Sequence, residues 1–296
     1  MNGELEKKLS RLIGRLEALL PPDPGDVDWS QSAFRWERRP YLGMTAGRLE
    51  AVLCPALISG GELLHVQRQK ELLFSNTESF VRGLPANNVL LTGARGSGKS
   101  SLIRACLMAY RAEGLRLIEV SRDFLTDLPD IVKVVAGRPE RFILFCDDLT
   151  FEQGEGGYRA LKAALDGSIA GGSGNTLVYA TSNRRHLMPE RAADNLDSSL
   201  DADGLLHPAE TIEEQLSLSE RFGLWLSFYP FSQDEYLDIV GLWLRELGVP
   251  EQQAASPEMR VSALQFALGR GSRSGRVAQQ FARAAASCVA RGRPLP

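Results

Sequence analysis

The sequence lacks the features that mark membrane, secreted or metal-binding proteins. None of its apolar runs approaches the roughly 20 residues that a membrane helix needs. Its four cysteines include no Cys-x-x-Cys pair, and none of its three histidines has the spacing of a metal ligand to a cysteine or to a second histidine. We therefore expect no membrane span, no structural metal, and a location in a reducing compartment, the cytoplasm.

A large net charge is also missing. With 34 Lys and Arg against 37 Asp and Glu, the formal charge is −3 at pH 7, so no overall field identifies a nucleic-acid-binding protein. Residues 189–220 are rich in acid, as solvated loops are, although they could also dock a basic partner. Residues 270–293 carry arginines and no acid. They could contact a nucleic-acid backbone or only keep this segment soluble, and the second interpretation is preferred.

The first 60 residues have a composition of their own. Apolar residues recur at helical spacing between residues 5 and 20, which predicts an amphipathic helix that ends at Pro21 and Pro22. Residues 21–45 mix prolines with aromatic residues, a pattern that disfavours a long helix and indicates a strap laid over the rest of the chain. Packing on the chain itself is the preferred interpretation of both segments, and docking on a partner is the alternative.

From residue 87 onward, apolar runs alternate with helical patterns. This alternation is typical of a mainly parallel sheet that is covered by helices on both faces. It predicts an α/β domain over residues 61–230. Ligands of such sheets bind beyond the carboxyl ends of the strands. The five predicted strands span residues 88–92, 115–120, 141–147, 176–182 and 224–228.

After Pro230 the pattern is helical throughout. Ser232 and Glu235 have the spacing of a capping box that opens the first helix, and two further helical patterns follow. Residues 231–296 are therefore predicted to form a small all-helical domain next to the sheet.

The segment GARGSGKS, residues 93–100, carries the strongest functional signal. It matches G-x-x-x-x-G-K-[ST] at every fixed position and lies between a predicted strand and a predicted helix. The glycines allow the backbone to wrap an anion with its N–H groups turned inward, and the positive end of the next helix adds to that field. Lys99 would then reach the β- and γ-phosphates of ATP, and the Ser100 hydroxyl would bind Mg²⁺. The predicted nucleotide contacts here are Gly93, Ala94, Arg95, Gly96, Ser97, Gly98, Lys99, Ser100 and Ser101.

Polar residues follow two of the predicted strands at the edge where a phosphate would lie. FILFCDDL ends in Asp147 and Asp148, and TLVYATSN ends in Asn183. Asp147 would hold Mg²⁺, Asp148 would polarise the attacking water, and Asn183 would orient that water or contact the γ-phosphate. The alternatives are an acidic strand end that faces solvent and an asparagine that begins a turn.

In this combination and order, the motifs resemble those of the AAA+ family of ATPases, from about residue 60 to the C-terminus. Residues 93–100 resemble the Walker A motif, residues 142–148 resemble Walker B, and Asn183 resembles sensor 1. The resemblance implies a P-loop sheet sandwiched by helices, with a small C-terminal helical lid.

Three further segments extend the resemblance. LSERFG, residues 218–223, is similar to the segment that carries the arginine finger, which implies that Arg221 reaches the γ-phosphate of a neighbouring subunit. SRSGR, residues 272–276, resembles sensor 2, with Arg276 as the main candidate and Arg273 in reserve. LLHVQRQKELL, residues 63–73, resembles the box that lines the adenine, through Leu64, His65 and Val66.

The sequence departs from the commonest AAA+ pattern in two places. Most members follow the magnesium-binding Asp with Glu, whereas this chain has Asp148, which is one methylene shorter. No aromatic-hydrophobic-glycine pore loop follows the second strand, because SRDFLTDLPD offers only Phe124 and Leu125 there. More narrowly, the chain resembles an uncharacterised bacterial group of predicted ATPases near the replication-initiator, helicase-loader and transposase-helper branch.

The resemblance implies an ATPase that assembles into a homo-oligomer and uses Mg–ATP to remodel or load a protein or nucleoprotein partner, because a finger supplied in trans makes hydrolysis depend on assembly. Two other functions stay open. One is a P-loop kinase of a small molecule. The other is a switch that binds ATP and signals with little turnover, which the shorter Asp148 would permit.

Overall fold

A computed structural model describes residues 7–9, 11–14, 27–41, 44–150, 156–166, 174–183, 199–200, 206–207 and 220–296. Most of the acidic segment 189–220 lies outside these residues. The central element is a seven-stranded sheet in the order β2-β1-β4-β5-β6-β3-β9. Its strands are β1 (Ala33–Tyr41), β2 (Met44–Ala51), β3 (Val89–Gly93), β4 (Leu115–Glu119), β5 (Arg141–Cys146), β6 (Thr176–Ser182) and β9 (Leu224–Phe228). Two short strands, β7 (Ser199–Leu200) and β8 (Leu206–His207), pair separately.

The predicted parallel sheet is confirmed. Strands β3, β4, β5, β6 and β9 pair in parallel, and they correspond to the five strands expected from the sequence. Helices α1 (Gln67–Val81) and α2 (Lys99–Tyr110) cover one face, and α3 (Leu128–Val135) and α4 (Gly156–Leu165) cover the other. Strand β5 is central to both cores, since Ile143 and Phe145 face the first pair of helices while Phe142 and Leu144 face the second.

The strand count of five was too low, because residues from the predicted strap extend the sheet. Strand β1 forms an antiparallel hairpin with β2 and also pairs in parallel with β4, where Ala33 lies opposite Leu117. Phe34 and Trp36 are buried in the core, and the Trp36 indole Nε1 donates to Asp127 Oδ2 at 2.8 Å. The aromatic residues thus pack on the chain itself as strand residues.

The C-terminal residues form the predicted helical lid. Its helices are α5 (Gln233–Glu246), α6 (Glu251–Ala254), α7 (Pro257–Gly269) and α8 (Gly275–Ala290). The capping box at the start of α5 has formed, with Glu235 N donating to Ser232 Oγ and Ser232 N donating to the Glu235 carboxylate. Tyr236 on α5 and Phe281 on α8 are fully buried, so the lid has an apolar core of its own.

The N-terminal segment is helical where it is described, over residues 7–9 and 11–14. Leu9, Leu12 and Ile13 are exposed there. Among the described residues, no helix is both long enough and apolar enough to cross a bilayer.

Candidate nucleotide-binding site

The loop between β3 and α2 adopts a conformation that depends on its glycines. Gly93, Gly96 and Gly98 have φ values of 125°, 70° and 98°, in the region that L side chains rarely adopt. A Cβ atom on Gly93 would lie 1.9 Å from the carbonyl oxygen of Phe228 on β9. The loop therefore curls tightly over the carboxyl end of the sheet and leads into α2, whose N-terminus faces the concave side.

Lys99 is buried at the centre of this loop, with 5% of its surface exposed. Its ammonium group donates to the carbonyl oxygens of Gly93 and Ala94, both at 2.8 Å, and to Asn183 Oδ1 at 3.0 Å. The ammonium group thus makes three hydrogen bonds, and its positive charge lies between the loop and the end of β6.

Ser100 and Asp147, the two residues predicted to hold magnesium, lie in contact. Asp147 Oδ1 accepts from the Ser100 hydroxyl at 2.6 Å and from the Thr181 hydroxyl, also at 2.6 Å. Hydroxyl and carboxylate oxygens are the ligands that Mg²⁺ takes in proteins, usually together with water and substrate phosphates. The donor set therefore fits this metal.

Asp148 lies beside this group with a strained backbone, at φ 52°. Its N–H donates to Thr181 Oγ1 at 2.9 Å, and its carboxylate accepts from the side-chain amide of Asn183. Asn183 thus connects Asp148 to Lys99. Burial lowers the pKa of Lys99, and the negative charges of Asp148 and Asp147 oppose that shift.

These residues form one end of a cleft of about 570 Å³ between the sheet domain and the lid. The sheet-domain wall contains the loop, both aspartates and Asn183. Apolar side chains also line the cleft, and such a lining suits a nucleotide base. The apolar lining residues include Ile58, Leu63, Leu64, Val66, Phe231, Ile239 and Trp243.

The lid contacts the glycine-rich loop directly. Gly275 N, in the first turn of α8, donates to the carbonyl oxygen of Gly96 at 2.8 Å. A Cβ atom on Gly96 would lie 2.8 Å from Ser274 Cβ, and one on Gly275 would lie 3.2 Å from Gly96 O. Two glycines therefore permit this close approach of backbones, which brings the positive end of α8 to the cleft.

The sequence of the chain matches one family model over residues 30–288. That family is described as DUF815, a protein of unknown function. The chain belongs to the DUF815 family. No curated protein matches it.

Solved structures that resemble this DUF815 chain include AAA+ P-loop ATPases. A RuvB variant from Thermotoga maritima superposes with a TM-score of 0.52 and 15% identity, over 77% of this chain and 63% of that one. The Orc1 protein of Aeropyrum pernix, solved in complex with DNA, has a TM-score of 0.50 and 15% identity, over 81% of this chain and 62% of that one. The DUF815 chain has the AAA+ fold. It spans less than two thirds of either of these proteins.

The three arginines singled out from the sequence of this DUF815 chain have different positions. Arg276 lines the cleft from α8, whereas Arg273, held in reserve, is exposed and does not line it. Arg221 lies outside the cleft, where its Nε is 2.5 Å from Asp166 Oδ1. The structure thus shows Arg221 in an ion pair within its own subunit.

Two of the three predicted adenine contacts lie in the cleft. Leu64 and Val66 line it, but His65, at φ 59°, turns away. His65 lines a neighbouring cavity of about 410 Å³, and its Nε2 is 3.1 Å from Asp238 Oδ2 on α5. This segment therefore links the sheet domain to the lid.

Sequence reasoning missed several residues of the site. Thr181 lies two residues before Asn183, and side chains at that spacing share a face of a strand, so its role was open to inference. Arg104 lies four residues after Ser100 on the same face of α2 and lines the cleft. Trp243 reaches the cleft from the lid, and no local pattern indicates that approach.

Proposed function

We propose that this DUF815 chain binds Mg–ATP in the cleft and hydrolyses it to ADP and phosphate in the cytoplasm. One observation carries this proposal: Lys99, the Ser100–Asp147 pair and the Asn183–Asp148 pair converge at the mouth of the glycine-rich loop. The AAA+ fold supports the same assignment. All four cysteines are free, which fits a reducing compartment.

Each residue has a distinct role in this proposal. Lys99 and the loop amides hold the β- and γ-phosphates. Ser100 and Asp147 would hold Mg²⁺, which when bound neutralises charge on the phosphates. Asp148 accepts a hydrogen bond from the attacking water, and Asn183 keeps its carboxylate in place. Arg276 contacts the phosphates from the lid, so that the position of the lid depends on the bound nucleotide.

We further propose that the chain acts as a homo-oligomer in which Arg221 completes the site of a neighbouring subunit. Its position outside its own cleft supports a role in trans. A guanidinium supplied in this way accelerates hydrolysis by roughly 10³–10⁵. The energy of hydrolysis would then be coupled to remodelling or loading of a macromolecular partner.

Mixing two inactive variants tests both parts of the proposal. Asp148→Asn keeps Arg221 but lacks the residue that polarises water, and Arg221→Ala has the reverse defect. We expect each variant alone to bind ATP and release almost no phosphate. An equimolar mixture should regain a substantial part of wild-type phosphate release, because some interfaces pair an intact site with an intact finger. Asp166→Ala, which removes the observed ion-pair partner, serves as the control and should stay active.

Three other outcomes would identify a different function. If Arg221→Ala keeps full activity at all protein concentrations, then Arg221 does not complete a neighbouring site, and its role is the ion pair with Asp166. Slow turnover of the wild type that does not rise with protein concentration would favour the ATP-dependent switch, which the short Asp148 side chain makes the second candidate. Transfer of phosphate to an added small molecule rather than to water would identify a kinase.

A further inference from the structure

Arg104 lies in the cleft without an assigned role. Helix α2 buries Leu102, Ile103 and Cys106 against the sheet. On another side of the helix, Ser100, Ser101 and Arg104 line the cleft. Arg104 is partly buried, and within the described part of the chain no hydrogen bond or ion pair engages its guanidinium group.

The position of Arg104 along α2 places it beyond the metal site. It follows Ser100 by four residues, which corresponds to about 6 Å along a helix axis. Arg104 therefore lines the cleft about one helical turn beyond Ser100, further from the glycine-rich loop. Leu63 and Val66 are among the apolar residues that line the same cleft and suit a base.

Within the described residues, no carboxylate of the cleft forms an ion pair with Arg104. Asp147 and Asp148 line the cleft but accept from Ser100, Thr181 and Asn183. Glu62 also lines the cleft, but its Oε1 accepts from the backbone N–H of Ser59 at 3.0 Å, in the cap of a short 3-10 turn. Leaving a partly buried guanidinium unpaired is unfavourable, and its planar donors match the oxygens of a phosphate.

We propose that Arg104 binds the α-phosphate of the nucleotide and so contributes to the affinity for ADP and ATP alike. This inference rests on the proposed function, since it concerns the same cleft. It assigns Lys99 to the β- and γ-phosphates and Arg104 to the α-phosphate. Affinity that is lost with Arg104 should therefore not depend on whether a γ-phosphate is present.

Calorimetric titration with Mg–ADP and with a non-hydrolysable Mg–ATP analogue tests this assignment. In Arg104→Gln, we expect the Kd of both ligands to rise by the same factor, about tenfold. Arg104→Lys should show a smaller loss, because an ammonium keeps the charge but not the planar fork. Arg111→Gln is the matched control. Arg111 is exposed just after α2 and lies outside the cleft, so its replacement should leave both Kd values unchanged.

Sulfur substitution at the α-phosphate locates the contact. The wild type should bind ADP more tightly than its α-thio analogue, and Arg104→Gln should lose much of this preference. An unchanged preference in the variant would overturn the α-phosphate assignment. A loss confined to the ATP analogue would overturn it as well, because it would place Arg104 at the γ-phosphate.

The failure of this inference can be distinguished from the failure of the proposed function. If the wild type binds neither ligand, the nucleotide site itself is wrong. If the wild type binds both and Arg104→Gln binds them equally well, only the role of Arg104 is wrong. Thermal unfolding without ligand checks the fold of the variant, which should match the wild type because Arg104 makes no described polar contact.

Discussion

The two walls of the cleft are built in different ways. On the sheet wall, polar side chains bind one another: Lys99 donates to Asn183, and Ser100 and Thr181 both donate to Asp147. On the lid wall, the contact with the glycine-rich loop is made by backbone, from Gly275 N to Gly96 O at 2.8 Å. The lid contributes mainly apolar side chains, such as Ile239 and Trp243, to the cleft.

This difference indicates that the two walls of the cleft have different roles. A network of hydrogen bonds holds the groups of the sheet wall in fixed positions, as the stabilisation of charge on a phosphate requires. One backbone hydrogen bond, the His65–Asp238 contact and apolar packing leave the lid able to change its angle at low cost. The sheet wall should therefore determine the chemistry, and the lid wall should determine affinity and closure. Two substitutions test whether the walls differ in this way.

The larger effect is expected on the sheet wall, in Thr181→Val. Thr181 has 1% of its surface exposed, and its hydroxyl holds both Asp147 Oδ1 and the N–H of Asp148. Valine has a similar shape but cannot make either bond. We expect phosphate release to fall at least about tenfold and the free energy of unfolding to fall by about 1 kcal/mol, since the partly buried Asp148 N–H loses its acceptor. Steady-state phosphate release and urea unfolding measure the two quantities.

Thr181→Ser is the matched control, because it keeps the hydroxyl and removes only a methyl group. It should retain most of the activity. Equal loss in the serine and valine variants would show that packing around residue 181, and not its hydrogen bonds, is what matters on this wall.

The smaller effect is expected on the lid wall, in Gly275→Ala. The added Cβ would lie 3.2 Å from Gly96 O, so the lid must shift by a few tenths of an ångström. We expect the Kd for ATP to rise about fivefold. This corresponds to about 1 kcal/mol, the lower limit of the usual cost of adding a methyl group to a packed contact. The rate of hydrolysis of bound ATP should stay close to that of the wild type. Single-turnover measurements separate the two quantities.

Gly269→Ala, on the preceding lid helix, is the control for that variant. A Cβ atom there meets nothing within 4 Å, and the Kd should not change. If Gly275→Ala lowered the hydrolysis rate as strongly as Thr181→Val, the proposed division between the two walls would be wrong.

The sheet wall could be predicted from the sequence because each of its parts has a chemical requirement. Tight curvature requires the glycines, a buried cation requires Lys99, and the metal donor Asp147 must follow another strand of the same sheet. These residues are brought together by the parallel sheet, whose strands end at one edge. Other residues, such as Arg104, belong to the site only because of their position along a helix. The structure is needed to show which face of the helix they occupy.

The hairpin of β1 and β2 and the apolar lining of the cleft could not be predicted in the same way. FRWE alternates apolar and polar residues, as a strand does, but the run is short and lies among prolines, which disfavour regular structure. In that lining, Trp243 and Leu64 meet across domains and are far apart in sequence. Their proximity depends on how the lid packs, and periodicity carries no information on that.

Replacement of Lys99 tests the central claim most directly. The claim is that the loop and the Lys99 ammonium bind the phosphates of a nucleotide. Titration of a fluorescent ATP analogue should show a Kd for Lys99→Ala at least about tenfold higher than that of the wild type, because a charge-assisted contact is lost. Lys133→Ala, at a site where the side chain is 73% exposed, should bind as the wild type does. Equal affinity of Lys99→Ala and the wild type would contradict the account.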